Sequence, residues 1–294
     1  MRGTRLLAAS ALAVVLWPAS AAADTVLGTE NGFTYVSDSE VALSGQPSAP
    51  FAECPAGTKV IGGGGDALTS SLEGILASAA PEDGPDQDAK PDDFFRVFTH
   101  NTTASSSTAD VWAICAPGKT RYERASVNVG VGKAKSQKAK CPGGTKVVGG
   151  GVYLTGSNSE IFINATRPWD SRDRGKKPDD GWFVRAANVA GSRKVMTAHA
   201  MCRKDVSINP FGGFGGTSPG SGGVGGACES DNDSLTGPGG EIQGTDPTLL
   251  RLSAVRLSDN TIEAGTVPDD AVAVEAENLT ASSSPLGAFG ICGT

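Results

Sequence analysis

The sequence repeats itself with a period of 87 residues, and this repetition constrains the fold more than any other feature. The heptapeptide Cys-Pro-Ala-Gly-Thr-Lys-Val at 54–60 returns as Cys-Pro-Gly-Gly-Thr-Lys-Val at 141–147. A third, more divergent copy ends at Cys292. Each copy also contains a Pro-Asp-Asp motif, with an Asn 8 residues after its last Asp and a Cys 14 residues after that Asn. Spacing kept this constant indicates one structural unit used three times.

Several short segments have the apolar pattern of β-strands. Residues 126–132 alternate between polar and apolar side chains, and compact apolar runs occur at 145–149, 161–164 and 182–185. Gly and Pro-Asp separate these runs, and no segment has the periodicity of an amphipathic helix. We therefore predict about five or six short antiparallel strands per copy. The predicted fold class is all-β, with three pseudo-repeated antiparallel β units that form either one β-prism or tandem β-sandwich-like modules.

The repeat also predicts how the chain is divided. Arg2 and Arg5, an apolar run at 6–17 and small residues before Asp24 are typical of a secretory signal peptide. Segment 209–227 is rich in Gly and Ser, which favours a flexible linker or a substituted loop. The predicted organisation is a signal peptide (1–23), an N-terminal segment (24–34), β repeat 1 (35–121), β repeat 2 (122–208), the Gly-rich linker or loop (209–227) and a degenerate β repeat 3 (228–294).

The signal peptide predicts a secreted, extracellular protein. No later stretch approaches the roughly 20 apolar residues that a membrane-spanning helix needs, so we expect no membrane span. The formal net charge is −7, and loss of Arg2 and Arg5 makes it −9, since no acidic residue precedes Asp24. This acidic balance disfavours nucleic acid as a partner. The sequence leaves the oligomeric state open.

Six cysteines, two in each copy, predict three disulfides in an exported chain. A zinc site is the competing interpretation, but paired CxxC spacing is absent and the chain has only two His. The simplest pairing is internal to each copy, and it joins Cys54 to Cys115, Cys141 to Cys202, and Cys228 to Cys292.

The loop between the third and fourth strands of a copy is the candidate recognition site. It is acidic at 81–90 and mixed at 168–177, so its frame is shared while its charge varies, as in surface recognition loops. A solvated loop without a ligand is the alternative. The candidate ligand-binding residues are Trp169, Asp170, Arg172, Asp173, Asp83 and Asp86. Calcium is a weaker hypothesis that would use Asp83, Asp86 and Asp88, although their spacing is not that of an EF-hand. No other cofactor is expected.

Other motifs favour structural roles. The glycine runs at 62–65 and 149–151 lack the Lys-Ser/Thr end of a phosphate-binding loop and predict a bulge or a close backbone approach. The Pro-Asp-Asp motifs and the Asn residues that follow them predict turns. His199 occupies the place of Trp112 and Phe289 in the closing strands, so we predict a packed, hydrogen-bonded core histidine.

Catalysis has little support in the sequence. A nucleophilic Ser or Cys needs a neighbouring base, and no Gly-x-Ser-x-Gly motif occurs. We therefore predict a protein that is not an enzyme. A secreted hydrolase that uses a pair of carboxylates remains the alternative, because many pairs among 32 acidic residues could meet in space.

The motif Cys-Pro-x-Gly-Thr-Lys-Val-x-Gly-Gly-Gly, paired with a closing Ala-x-Cys, resembles the tandem repeats of uncharacterised secreted bacterial proteins, especially actinobacterial ones. The resemblance covers Tyr35 to Lys204 well and implies no settled activity. Three β units with Cys-Pro-x-Gly openings are also distantly similar to the vitelline membrane outer layer proteins, which implies a three-fold β-prism. The leading functional hypothesis is a non-catalytic extracellular binding or structural protein. Its expected partner is a cell-wall or extracellular glycan, or another envelope component.

Overall fold

A computed structural model describes residues 24–67, 74–84, 88–156, 159–171, 177–204, 206–230, 233–259 and 267–294. Apart from one short 3-10 helix at Pro247–Leu249, the regular structure in these ranges is antiparallel β. The all-β prediction is therefore confirmed. The predicted signal peptide at 1–23 lies outside the described residues. The described part of the chain contains no helix with the length and apolar character that a membrane span requires.

The strands follow the repeat. The first lies in the N-terminal segment and is β1 (Thr25–Glu30). The strands of copy one are β2 (Phe33–Ala42), β3 (Pro47–Ser48), β4 (Phe51–Glu53), β5 (Lys59–Asp66), β6 (Gly74–Glu82), β7 (Phe94–Asn101) and β8 (Ser107–Ala116). Copy two forms β9 (Arg121–Val129), β10 (Lys133–Lys140), β11 (Lys146–Leu154), β12 (Ile161–Trp169), β13 (Gly181–Asn188) and β14 (Lys194–Arg203). Copy three forms β15 (Ile208–Thr217), β16 (Gly220–Ala227), β17 (Ser234–Leu235), β18 (Gly239–Ile242), β19 (Leu250–Ser258), β20 (Ala271–Asn278) and β21 (Ser284–Gly293).

Each of the three sheets takes its strands from two copies. Sheet A has the order β1-β2-β8-β5-β19-β20-β16, so copies one and three meet where β5 pairs with β19. Sheet B has the order β3-β7-β6-β11-β14-β9, with β4 also on β7, and joins copies one and two. Sheet C has the order β10-β13-β12-β18-β21-β15, with β17 on β21, and joins copies two and three. A copy therefore never forms a sheet alone, and the arrangement is a three-sheet prism rather than a row of separate modules.

The glycine runs bring the three sheets together at the prism centre. A side chain at Gly149 would place its Cβ 2.2 Å from the Ile61 carbonyl oxygen, and one at Gly237 would lie 2.6 Å from the Val148 carbonyl oxygen. Gly62 makes the third of these contacts between copies, because its Cβ would lie 1.8 Å from the carbonyl oxygen of Thr236. The strand register also shifts at Gly62 and Gly149. Both features that the sequence predicts for these glycines, a bulge and a close backbone approach, are confirmed.

The six cysteines form the three predicted within-copy disulfides, and each disulfide joins two sheets. Cys54, which follows β4 of sheet B, bonds Cys115 in β8 of sheet A across a sequence separation of 61. The other two corners of the prism are joined in the same way, by Cys141–Cys202 and Cys228–Cys292. Because each link crosses a corner, it constrains the relative placement of sheets as well as the unfolded chain.

The Gly-rich segment 209–227 is not a linker or a substituted loop, as the sequence suggests, but forms most of β15 and all of β16. β15 pairs with β21 along its whole length, and this pairing supplies hydrogen-bond partners for the backbone of β15. An aromatic ring occupies the space that a side chain would take at Gly212, where a Cβ would lie 2.6 Å from the ring of Phe289. Copy three therefore keeps the first two strands of the unit despite its composition.

The recurring polar motifs hold turns, as predicted. In copy two the buried Asn188 amide donates to the carbonyls of Val129 (3.0 Å) and Ser192 (2.9 Å), and its oxygen accepts from the Ala190 N–H (2.9 Å). Asn101 and Asn278 bond the following turn in the same way. The Pro-Asp-Asp backbone accepts from the cysteine loop, as in the bond from Cys141 N–H to the Asp180 carbonyl (2.8 Å).

Candidate functional site

An open groove of about 740 Å³ lies on the outer face of sheet B. Copy one supplies one wall through the end of β6 and the loop that follows, and copy two supplies the other through β9, β11 and β14. A hollow of about 380 Å³ continues from it around Lys90, Arg121 and Tyr122, and both spaces share Arg124 and His199. We call the two together the sheet B groove. The recognition loop of copy one therefore lies against strands of copy two.

Strand register places the copy-two side of the groove. His199 in β14 lies directly opposite Arg124 in β9 and opposite Gly151 in β11. Thr197, two residues earlier on the same face, lies opposite Ser126 and Tyr153. Successive side chains of a strand point to opposite faces, so these residues share one surface. Gly151 contributes no side chain to it, and the backbone of Ala79 and Ala80 occupies the place that its Cβ would take.

The equivalent position in sheet C is filled by an ion pair. There Phe289 takes the place of His199 and lies opposite Gly239. The Arg167 guanidinium lies 5.3 Å from the centre of the Phe289 ring, and its Nε donates to Glu241 at 2.6 Å. Arg167 and Glu241 thus cover this part of the sheet C surface.

Sheet A has a corresponding arginine, and sheet B does not. In sheet A Arg256 bonds Asp66 at 3.1 Å and also pairs with Glu275. Strand register aligns Arg256 and Arg167 with Ala80 of sheet B, and it aligns Asp66 and Glu241 with Tyr153. The arginine–carboxylate pair is therefore replaced by a methyl group and a phenol, and the sheet B groove occupies the same region of the sheet.

His199 is the most unusual group in the groove. Its side chain is only 8% exposed, and its Nδ1 atom has no hydrogen-bond partner among the described residues. Burial, with a smaller contribution from the Arg124 charge, lowers the pKa of His199 to about 4, so the ring is neutral at neutral pH. The prediction of a buried histidine is confirmed, whereas the predicted hydrogen bonding does not extend to Nδ1 among the described residues. Ala80 stands at the position from which Arg167 reaches the Phe289 ring in sheet C.

An aromatic cluster extends the same face beyond the groove. The rings of Phe98 and Tyr153 meet edge to face with centres 6.4 Å apart. The Arg96 guanidinium lies 5.1 Å from the Phe94 ring centre and 5.3 Å from that of Phe51, and it is 3.2 Å from Glu82 of the groove wall. The sequence analysis did not identify this aromatic platform. The alternation of Phe94, Arg96 and Phe98 along β7 was the signal that could have revealed it.

The copy-one loop residues lie beside the groove. Asp83 is exposed and lines it. Asp88 accepts from the Lys90 N–H at 2.8 Å and pairs with the Lys90 ammonium group, which holds the pKa of Asp88 below its usual range. Asp86 lies outside the described residues. Within those residues no group of three His, Cys, Asp or Glu side chains could hold a metal ion, and the calcium hypothesis, which includes Asp86, stays a prediction.

The copy-two loop residues lie on a different sheet. Trp169 ends β12 in sheet C and is half-buried, with the Lys138 ammonium 4.3 Å from its ring centre. Asp170 follows it, while Arg172 and Asp173 lie outside the described residues. Of the candidate residues that the structure describes, Asp83 belongs to the sheet B groove, whereas Trp169 and Asp170 lie at the end of β12 in sheet C.

Two acidic residues are cross-strand neighbours on sheet A. Asp66 and Asp110 lie opposite each other where β5 pairs with β8, on sheet A. Burial and the Asp66 charge raise the pKa of Asp110 to about 6, although Arg256 acts in the opposite direction. A carboxyl that is still partly protonated near neutral pH can act as a general acid.

No protein-family model matches the chain, and no curated protein matches it either.

Proposed function

We propose that this chain is an extracellular, non-catalytic protein that binds a glycan in the sheet B groove. The observation that carries the proposal is that the buried His199 lines an open groove while its Nδ1 has no hydrogen-bond partner among the described residues. Leaving such a group unpaired costs roughly 1–3 kcal/mol, a penalty that a hydrogen-bonding ligand would relieve. The three disulfides suit an oxidising, extracellular environment.

The composition of the groove suits a sugar. Hydroxyl groups of Ser126 and Thr197 lie beside the charged Arg124, so donors and acceptors alternate over a short distance. Tyr153 at the end of the groove and Phe98 beside it offer apolar surface for the face of a sugar ring. Ligand sites usually combine such apolar surface with a few converging polar groups.

The test introduces into sheet B the arginine–carboxylate pair that sheets A and C have. In the double variant Ala80→Arg/Tyr153→Glu, the new pair would occupy the positions held by Arg167 and Glu241 in sheet C and by Arg256 and Asp66 in sheet A. We expect this variant to lose retention on insoluble cell wall, peptidoglycan, chitin or cellulose while its thermal unfolding stays cooperative.

Two further variants guard against a folding artefact. Arg124→Ala removes an exposed groove side chain and should weaken binding without lowering stability. Arg193→Ala removes an equally exposed arginine from the turn before β14 and should bind as the wild type does. The proposal would be overturned if the wild-type protein were retained on none of the polymers. It would also be overturned if the double variant Ala80→Arg/Tyr153→Glu bound as well as the wild type.

The second candidate function is hydrolysis with the Asp66–Asp110 pair. It is favoured by the raised pKa of Asp110 and by the direct opposition of the two carboxyl groups. In that case Asp110 would be the acid, and turnover of a polysaccharide would fall by several orders of magnitude in Asp110→Asn. Glycan binding without turnover, unchanged in Asp110→Asn, would exclude the hydrolase.

A further inference from the structure

We infer that the sheet B groove recognises a glycan whose units carry a carboxylate, and that Arg124 and His199 receive this carboxylate. The inference rests on the proposed function and specifies the class of ligand. It begins from the distribution of charge in the hollow that continues the groove. Arg121 and Arg124 line this hollow together with Lys90, whose ammonium group pairs with Asp88, and one acidic residue, Glu123. The whole chain, by contrast, has a net charge of −7.

Arg124 and His199 are placed to act together. They are direct neighbours across β9 and β14, where side chains on one face lie about 5 Å apart. A guanidinium binds a carboxylate through two parallel N–H donors, and a neutral imidazole can donate a third hydrogen bond from Nδ1. Since that Nδ1 has no partner among the described residues, a ligand oxygen that reaches it would supply the missing hydrogen bond.

The acidic residues of the groove favour a carboxylate over a phosphate. Glu82 and Asp83 line the open end, and Glu123 lines the hollow. These side chains repel a phosphate, with its higher charge, more than a singly charged carboxylate. They also accept hydrogen bonds from sugar hydroxyls. The groove therefore has a cationic end for the acid group and an acceptor-rich end for the rest of the sugar.

The experiment compares polygalacturonate with its fully methyl-esterified form, which has the same backbone without the charge. Titration calorimetry at low salt should show roughly ten- to hundred-fold tighter binding of the acid form, the ratio that a hydrogen bond to a charged group corresponds to. This preference should decline as salt rises towards 1 M, because exposed charges are then screened. Inorganic phosphate, which carries more than one negative charge at neutral pH, and cello-oligosaccharides serve as the phosphate and neutral probes.

Variants separate the two residues. Arg124→Ala should bind the acid and the ester forms equally, whereas the Arg193→Ala control should keep the preference. His199→Phe places in sheet B the ring that sheet C has, and it should lose affinity. His199→Asn, which keeps a polar atom near the Nδ1 position, should retain part of it.

The outcomes distinguish the two proposals. Equal binding of the acid and ester forms, or tighter binding of the phosphate or the neutral probe, would overturn the carboxylate inference and leave glycan binding in place. Binding of none of these probes, together with no retention on insoluble polymers, would overturn both. Acid preference that survives Arg124→Ala would place the carboxylate elsewhere and refute this site.

Discussion

The substitution Gly149→Ala should strongly destabilise the protein, because this glycine lies where the three copies meet. An added Cβ would lie 2.2 Å from the Ile61 carbonyl oxygen and 2.9 Å from the Gly62 Cα atom. Both contacts are with backbone of another copy, so no side chain can rotate away. Ile61 is itself fully buried, and Gly62 packs in turn against Thr236 of copy three.

The size of the destabilisation follows from the fixed backbone around Gly149. Inserting a methyl group into a well-packed core typically costs 1–3 kcal/mol, and a clash with fixed backbone belongs at the upper end of that range. We expect Gly149→Ala to lower the free energy of unfolding by about 3 kcal/mol. For a domain of this size that corresponds to a fall of roughly 6–12 °C in Tm. Calorimetry and urea unfolding with the disulfides intact would measure it.

The matched control is Gly213→Ala in β15, where an added Cβ would meet no atom within 4 Å. Alanine restricts the unfolded chain, so this variant should be as stable as the wild type or more stable by up to about 1 kcal/mol. Gly237→Ala should resemble Gly149→Ala, since its Cβ would lie 2.6 Å from the Val148 carbonyl oxygen. If Gly149→Ala and Gly213→Ala unfold at the same denaturant concentration, the close approach of the three copies is refuted.

Three further predictions concern the corners, the turns and one carboxyl group. Replacing Cys54 and Cys115 by Ala should lower the unfolding free energy by roughly 4 kcal/mol in urea titrations, because a loop with a sequence separation of 61 is no longer closed in the unfolded chain. Asn188→Ala should cost about 2–3 kcal/mol, as it leaves two carbonyls and one N–H without their partner, whereas the exposed Asn128→Ala should change stability by less than about 0.5 kcal/mol. The pKa of Asp110 is raised to about 6, so the folded protein binds an additional proton and loses stability as pH rises from about 4 to above 6. Asp110→Asn should remove this loss and gain about 1 kcal/mol at pH 7, less than the full shift implies because the group is half-exposed, and an unchanged pH profile of Tm would contradict it.

The local structure could largely be predicted from the sequence because it depends on short-range chemistry. Alternating side chains indicated strands, Pro-Asp-Asp and Asn indicated turns, and equal cysteine spacing indicated the disulfides. The Gly-rich segment 209–227 was the exception. Its low strand propensity suggested a linker, but pairing with β21 and cover from Phe289 outweigh that propensity.

The site could not be predicted, because it depends on which copies share a sheet. Periodicity shows which face of a strand is buried, but it does not show that β6 of copy one neighbours β11 of copy two. For the same reason the sequence interpretation compared His199 only with its equivalents in the other copies, Trp112 and Phe289. Its place in a groove depends on the residues around Pro81 and Glu82, which belong to another copy and lie more than a hundred positions away.

The departure from three-fold symmetry is the strongest reason to assign function to sheet B. At the equivalent positions sheets A and C have Arg256 and Arg167, each in an ion pair with acidic side chains. If stability alone mattered, the same arginine–carboxylate pair that sheets A and C have would also be expected in sheet B. Sheet B instead has Ala80 and Tyr153, and it retains a buried histidine nitrogen without a partner among the described residues. An arrangement that costs free energy in the unbound protein is understandable when a ligand supplies the missing hydrogen bond.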